Sequence, residues 1–221
     1  MGNTLTIFDL DNTLIQGDSS TVWSQFMVRE GLATQKGYLA REARLMADYD
    51  RGEMNIADYV ALIQAPLAGI PKSDVDALVA RCVREAILPR VYPQAWELIR
   101  RLRAEGEQML IISASVSLLV QAVAAALEID QALGIDVAMV GGGYSGEIDG
   151  IPSYQQGKVA RLAQWREAHP QYNGEVTFYT DSINDLPLCL HADRVRLVNP
   201  CPQLQAAGAG YGWPVLSWRL E

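Results

Sequence analysis

Two acids stand two residues apart where a short apolar run ends: Thr4-Leu5-Thr6-Ile7-Phe8 leads directly into Asp9-Leu10-Asp11. The run is brief, apolar and partly β-branched, the pattern of a buried parallel strand. Alternate strand residues share a face, so Asp9 and Asp11 project together at the strand end, the edge where open α/β sheets hold ligands. Two carboxylates there repel each other unless a cation or a shared proton relieves them. Asn12 and Thr13 then turn the chain away. Taken alone, Asp-Leu-Asp-Asn reads equally well as a turn after a strand.

Three further signals follow in order. Ser113 closes the apolar strand Met109-Leu110-Ile111-Ile112, Lys158 opens a helical pattern, and Asp181-Ser182-Ile183-Asn184-Asp185 closes the strand Val176-Thr177-Phe178-Tyr179. Each by itself is an ordinary strand-end serine, helix lysine or helix-capping acid. Together with residues 9–14 (Asp-Leu-Asp-Asn-Thr-Leu), their order resembles the four motifs of the haloacid dehalogenase-like superfamily, in its phosphatase branch, over essentially the whole chain. The resemblance implies an α/β fold, a Rossmann-like parallel sheet core with an inserted helical-bundle cap, and a Mg²⁺-dependent phosphatase of a small phosphorylated metabolite.

The roles that the resemblance implies fit the residue types. A phosphate monoester resists attack because it is anionic, so catalysis is mostly positioning and charge stabilisation. Asp9 would attack phosphorus and become an aspartyl-phosphate. Asp11 would protonate the leaving alkoxide and then deprotonate the hydrolytic water. The Asp9 and Asp181 carboxylates, with the Asp11 backbone carbonyl, would hold Mg²⁺, and Asp185 would orient the metal's waters. Ser113, Lys158 and Asn184 would contact the phosphate, Lys158 from a helix N-terminus. Asp11 argues against the halide-displacing branch, whose leaving group needs no acid. Phosphotransfer to a second hydroxyl and a catalytically silent phospho-ligand sensor are the alternatives.

The pattern looks most like the phosphoserine phosphatase subgroup, where an acid shortly after the first motif holds the substrate ammonium; Asp18 matches by position. The subgroup also has a cap arginine for the substrate carboxylate, beyond a turn that Gly52-Glu53-Met54-Asn55 matches. Nothing basic stands between residues 61 and 63, and a bidentate arginine contact has no substitute there. The subgroup's Ser-Gly-Gly is Ser113-Ala114-Ser115 in this chain. Both departures favour an amine- or ring-bearing phosphomonoester without an essential carboxylate, such as histidinol phosphate; Trp23 is a candidate to stack on an imidazole, though its spacing favours packing in the cap core. Arg41, Arg44 or Arg51 facing the pocket would restore phosphoserine.

The elements that must position these residues follow from periodicity. Between residues 17 and 88, four helical patterns run without a strand: Asp18 or Ser19 to Gly31, Thr34 to Tyr49, a helix capped by Asn55, and one after Ser73. They form the expected cap, and residues 1–16 and 89–221 the core, with hinges near Gln16-Gly17 and 89–93. The core alternates helix 92–105, strand to 113, helix 116–127, strand 135–140, hairpin 144–150, helix 157–168, strand 175–180, helix 183–190, and strands 194–198 and 215–218. Gly141-Gly142-Gly143 has no helix behind it and reads as a turn, not a phosphate loop.

At 221 residues, 49% hydrophobic and 20% charged, the chain suits one α/β domain with an insertion. A net charge of −8 argues against nucleic acid or an anionic membrane as partner. Cys82, Cys189 and Cys201 lack metal-ligand spacing, and His169 and His191 offer no nucleophile relay. No apolar run reaches the roughly 18 residues of a membrane span, which favours a cytoplasmic setting, as a monomer or homodimer.

Overall fold

The computed structural model describes residues 3–220. Among them run eight strands: β1 (Leu5–Phe8), β2 (Gln108–Val116), β3 (Gln131–Ile135), β4 (Val137–Val140), β5 (Gly143–Ile148), β6 (Val176–Thr180), β7 (Arg194–Val198) and β8 (Val215–Leu216). Six make one sheet in the order β3-β2-β1-β6-β7-β8, and every neighbouring pair is parallel. Phe8 lies level with Ile111 on one side and Tyr179 on the other. Asp9 therefore leaves the sheet beside the ends of β2 and β6, where chain direction diverges to either side.

Alternation along β1 divides the core. Leu5 and Ile7 join Leu110, Phe178 and Leu197 on one face, while Phe8 joins Ile111, Val120 and Leu119 on the other. The helices α1 (Ser19–Arg29), α2 (Tyr38–Asp50), α3 (Ile56–Gln64) and α4 (Lys72–Cys82) stand between β1 and β2. Their buried Trp23, Met27, Ile63 and Val79 belong to the same apolar cluster as Phe8. The remaining helices are α5 (Pro93–Ala104), α6 (Ser117–Ala126), α7 (Gln156–Ala168), α8 (Leu186–His191) and α9 (Pro202–Ala209). Local chemistry sets several starts: Asp18 caps α1 by accepting from Thr21 N at 2.8 Å, and Asn55 caps α3 by accepting from Ala57 N at 3.0 Å. Pro93 and Pro202 open α5 and α9 where no backbone donor is needed.

Four expected boundaries move. The second helix begins at Tyr38 rather than Thr34, because Gly37 at φ 76 closes the preceding turn. β2 runs past Ser113 to Val116. The expected strand 135–140 divides: β3 joins the main sheet, and β4 pairs with β5 around Gly141-Gly142, so the hairpin starts earlier than expected. That hairpin lies on the inserted helices, with Gly142 O accepting from Lys72 N and Tyr144 donating to Asp76. The short helix α9 carries only Leu204 and Gly208 as buried positions, too sparse a stripe to reveal a helix. No helix among the described residues is long and apolar enough to cross a membrane.

Candidate active site

Asp9 comes to rest between two counter-groups. Its backbone N–H donates to Tyr179 O at 2.9 Å, and its carboxylate accepts from Lys158 Nζ at 2.7 Å. The same ammonium lies 2.6 Å from Asp185 Oδ1, and neither Lys158 nor Asp185 has any exposed side-chain surface. Asp185 is held in turn by Thr180, whose hydroxyl donates to its Oδ2 at 2.7 Å. Lys158 reaches this position because α7 starts hard against the preceding loop. An added Cβ on Gly157 would stand 1.9 Å from Pro152 O, so only glycine allows that approach. Gln155, at φ 49, turns the chain into the helix. Nearby, Ser153 donates to Ser113 O at 2.5 Å, tying that loop to β2.

The charges do not balance. Burial raises the Asp9 carboxyl to about 7, with Lys158 opposing the rise and Asp185 and Asp11 adding to it. Asp181 is raised well above the usual carboxylate range by burial, then by Asp9 and Asp185; its one side-chain donor is Thr13, at 3.2 Å. Burial alone would lower Lys158, but Asp185 and Asp9 outweigh it and raise it. Three carboxylates against one ammonium leave an oxygen-rich, anionic excess, the donor set of a hard divalent cation. No group of three or more metal-binding His, Cys, Asp or Glu side chains stands among the described residues. Mg²⁺ asks for fewer, taking one or two carboxylates and completing its shell with water and phosphate oxygens. The carboxylates of Asp9 and Asp181 are donors of the type it takes.

Asp11 faces away from this cluster toward the inserted helices. Its Oδ1 accepts from Ser19 N, in the first turn of α1, at 2.6 Å, and its Oδ2 from Ser115 Oγ at 2.9 Å. Burial raises its carboxyl, opposed by these Ser19 and Ser115 contacts. Ser113 is fully buried; its hydroxyl lies 3.4 Å from Asp11 Oδ2 and accepts from Ser115 N at 3.1 Å.

Above the strand ends opens a cavity of about 560 Å³. Asp11, Asp18, Asp50 and Asp181 line it with Thr21, Met46, Tyr49 and Tyr92, and among the described residues no Lys or Arg is in its walls. Burial and the neighbouring Asp11 raise Asp18 well above the usual range, with Glu42 contributing. Glu42 is itself buried on α2 and accepts from Thr21 Oγ1 at 2.5 Å. The Tyr49 hydroxyl is raised by burial and by Asp185, Asp9 and Asp181, and Tyr49 and Met46 of α2 share the cavity wall with Asp11 and Asp181. Sequence reasoning missed both residues. Glu42 was visible as an acid on the apolar 38-42-46-49 face of a helix.

The remaining candidate side chains stand in different settings. Trp23 is fully buried and stacks on Phe26 at 5.5 Å, so it packs the helices and offers no face to a ligand. Arg41 and Arg44 line a separate groove between α2 and α3, and Arg51 pairs with Asp48 and Glu53 at the surface. None of the three lines the cavity. Asn184, expected at the phosphate, has both ends of its amide engaged: Nδ2 donates to Tyr49 O at 2.7 Å, and Oδ1 accepts from Gln155 Nε2 at 3.2 Å. Gln155 also donates to Gly52 O at 3.1 Å, so two core amides grip the C-terminal end of α2.

Comparison with known proteins adds a lineage to this geometry. Residues 6–189 match the family model of haloacid dehalogenase-like hydrolases. A histidinol-phosphatase of Neisseria meningitidis is 32% identical over 219 residues, covering 97% of this chain and 99% of that protein. A Bordetella pertussis protein of unknown function has a solved structure that matches with a TM-score of 0.88 at 30% identity, covering 98% of this chain and 99% of its own. A phosphoserine phosphatase solved as a phospho-aspartyl intermediate analogue matches with a TM-score of 0.66 at 18% identity, covering 93% and 91%. At that identity the likeness speaks for the fold alone.

Proposed function

The chain belongs to the haloacid dehalogenase-like hydrolase family, in its phosphatase branch, and we propose that it hydrolyses a small phosphomonoester bearing an amine and no carboxylate. One observation carries this reading: the cavity walls hold four aspartates and neither Lys nor Arg, while the single ammonium, Lys158, lies at Asp9. A carboxylate substrate would find only like charge there, whereas an ammonium finds Asp18 with Glu42 behind it. Histidinol phosphate meets the description, and the 32% identity to a histidinol-phosphatase supports it over phosphoserine.

Mg²⁺, held by Asp9, Asp181 and the Asp11 carbonyl, would neutralise phosphate charge and set its orientation. Asp9 attacks phosphorus, and the bond from phosphorus to the alkoxy oxygen breaks as Asp11 delivers a proton to that oxygen. Asp11, now ionised, takes a proton from water, which attacks the acyl-phosphate and releases inorganic phosphate with Asp9 regenerated. Lys158 holds charge at Asp9 and the departing phosphoryl oxygens, and Asp185 fixes Lys158. Burial of the acid–base pair under α1 and α2 keeps bulk water from competing for the leaving group.

A phosphate-release panel tests this with Mg²⁺: histidinol phosphate, phosphoethanolamine, phosphoserine, glycerol phosphate and 4-nitrophenyl phosphate, beside Asp9→Asn. The expected result is preference for the amine-bearing, carboxylate-free esters and loss of turnover in Asp9→Asn. Efficient phosphoserine hydrolysis would overturn the substrate class. Equal turnover by parent and Asp9→Asn would overturn the chemistry and favour a silent phospho-ligand binder. Faster release on adding glycerol or sugar acceptors would favour a phosphotransferase.

A further inference from the structure

We propose that the hydroxyls of Tyr59, Ser20 and Ser115 form a directed hydrogen-bonded chain that positions the Asp11 carboxyl for proton delivery, with Ser115 its essential link. The proposal rests on the reading of Asp11 as the acid toward the leaving group. Ser115 Oγ lies 2.9 Å from Asp11 Oδ2 and 3.0 Å from Ser20 Oγ, with Ser19 Oγ at 3.1 Å. Ser20 in turn is hydrogen-bonded to the Tyr59 hydroxyl. None of the four hydroxyl residues is more than 3% exposed, so water does not stand in for a missing member.

The acceptor at one end fixes the sense of every bond. Ser115 donates its one proton to Asp11 Oδ2. Its two lone pairs then accept from Ser19 and Ser20. Ser20, having given its proton to Ser115, must accept from the Tyr59 phenol. Each donor therefore points toward Asp11, and bonds aligned this way polarise one another in a low-dielectric setting. The Asp11 carboxyl is pinned at both oxygens, by Ser19 N at Oδ1 and Ser115 at Oδ2. Each oxygen keeps a second lone pair on which the transferable proton can sit.

Three elements contribute: β2 through Ser115, α1 through Ser19 and Ser20, and α3 through Tyr59. The orientation of Asp11 is thus set jointly by the sheet and by two inserted helices. Ser115 stands at a position where the motif this chain resembles has glycine, which has no hydroxyl to offer. A glycine there would leave Asp11 Oδ2 with only the 3.4 Å contact from Ser113.

A positioning role for the acid has a signature that a purely structural role lacks. Phosphoryl transfer from an alkyl ester needs the alkoxide protonated as the bond to phosphorus breaks, whereas 4-nitrophenolate departs as a stable anion. Turnover of 4-nitrophenyl phosphate and of the fastest alkyl phosphate in the panel above is therefore compared for the full chain carrying Ser115→Ala, Ser115→Gly or Tyr59→Phe, with Asp11→Asn as reference. Ser115→Ala and Ser115→Gly are expected to lose at least about tenfold more kcat on the alkyl ester than on the aryl ester. Tyr59→Phe, one link further away, is expected to shift the ratio in the same sense by about threefold. Equal losses on the two esters, or none, overturn the chain, provided that Asp11→Asn shows the selective loss. If Asp11→Asn hydrolyses both esters at the parent rate, the acid role itself is overturned and the inference falls with it.

Discussion

Removing divalent cation should make the stability of this protein fall with rising pH. Asp9 is 4% exposed and raised from 3.8 to about 7 by burial, against Lys158 and with Asp185 and Asp11. The folded chain therefore holds a proton on Asp9 at pH values where the unfolded chain has released it. With more protons bound in the folded state, stability declines as pH rises from about 4 to about 7 and levels off above. A shift of about three units, at roughly 1.4 kcal/mol per unit, gives a decline of about 4 kcal/mol from this group alone. Asp181 is shifted the same way and steepens it. Mg²⁺ binding to the ionised carboxylates should reverse the loss, by about 2.7 kcal/mol when present at one hundred times its dissociation constant. The assay is urea unfolding at pH 5, 6, 7 and 8 in EDTA and in excess Mg²⁺. The expected picture is a pH-dependent deficit in EDTA that Mg²⁺ largely offsets at pH 7–8 and leaves unchanged at pH 5. A flat EDTA profile, or equal Mg²⁺ stabilisation in Asp9→Asn and the parent, refutes the reasoning.

Three other outcomes follow from particular contacts. Gly157→Ala would drive a methyl onto Pro152 O at 1.9 Å, so a loss of more than about 2 kcal/mol and a fall in turnover through displacement of Lys158 are expected; unchanged unfolding curves would contradict this. Asp18→Asn, beside Asp11 and Glu42, should raise KM for an amine-bearing substrate by about tenfold, the loss of one charged contact, with a much smaller effect on 4-nitrophenyl phosphate; equal effects on both would remove the ammonium role. Asn184→Ala removes the donor to Tyr49 O and should cost about 1 kcal/mol while speeding tryptic cleavage at Arg51; parent-like cleavage would show that the contact restrains nothing.

The sheet, its strand-end acids and the helical insertion were legible because each rests on local pattern: apolar β-branched runs, caps such as Asp18 and Asn55, and acids directly after strands. The failures have physical reasons too. The β4–β5 hairpin was misplaced because its boundary depends on which neighbour each strand meets. β3 pairs with β2 while β4, one residue later, pairs with β5. For Trp23 and Asn184, residue type tells what a side chain can do, not which way it faces. Trp23 stacks on Phe26 within α1, and Asn184 reaches across to Tyr49, a contact between segments distant in sequence. Ser115 was noticed as a departure from a glycine. Its meaning waited on the distance to Asp11, and no periodicity encodes a distance of that kind.

The grip of Asn184 and Gln155 on the end of α2 has a mechanical consequence. Asn184 shares its turn with Asp185 and follows Asp181 by three residues, and Gln155 O accepts from the backbone of Lys158 at 3.1 Å. The C-terminal end of α2 is thus fastened to the same two backbone corners that hold the counter-ion and the acids. Displacing α2 would pull on both corners at once, so the helix and the charged floor are mechanically coupled.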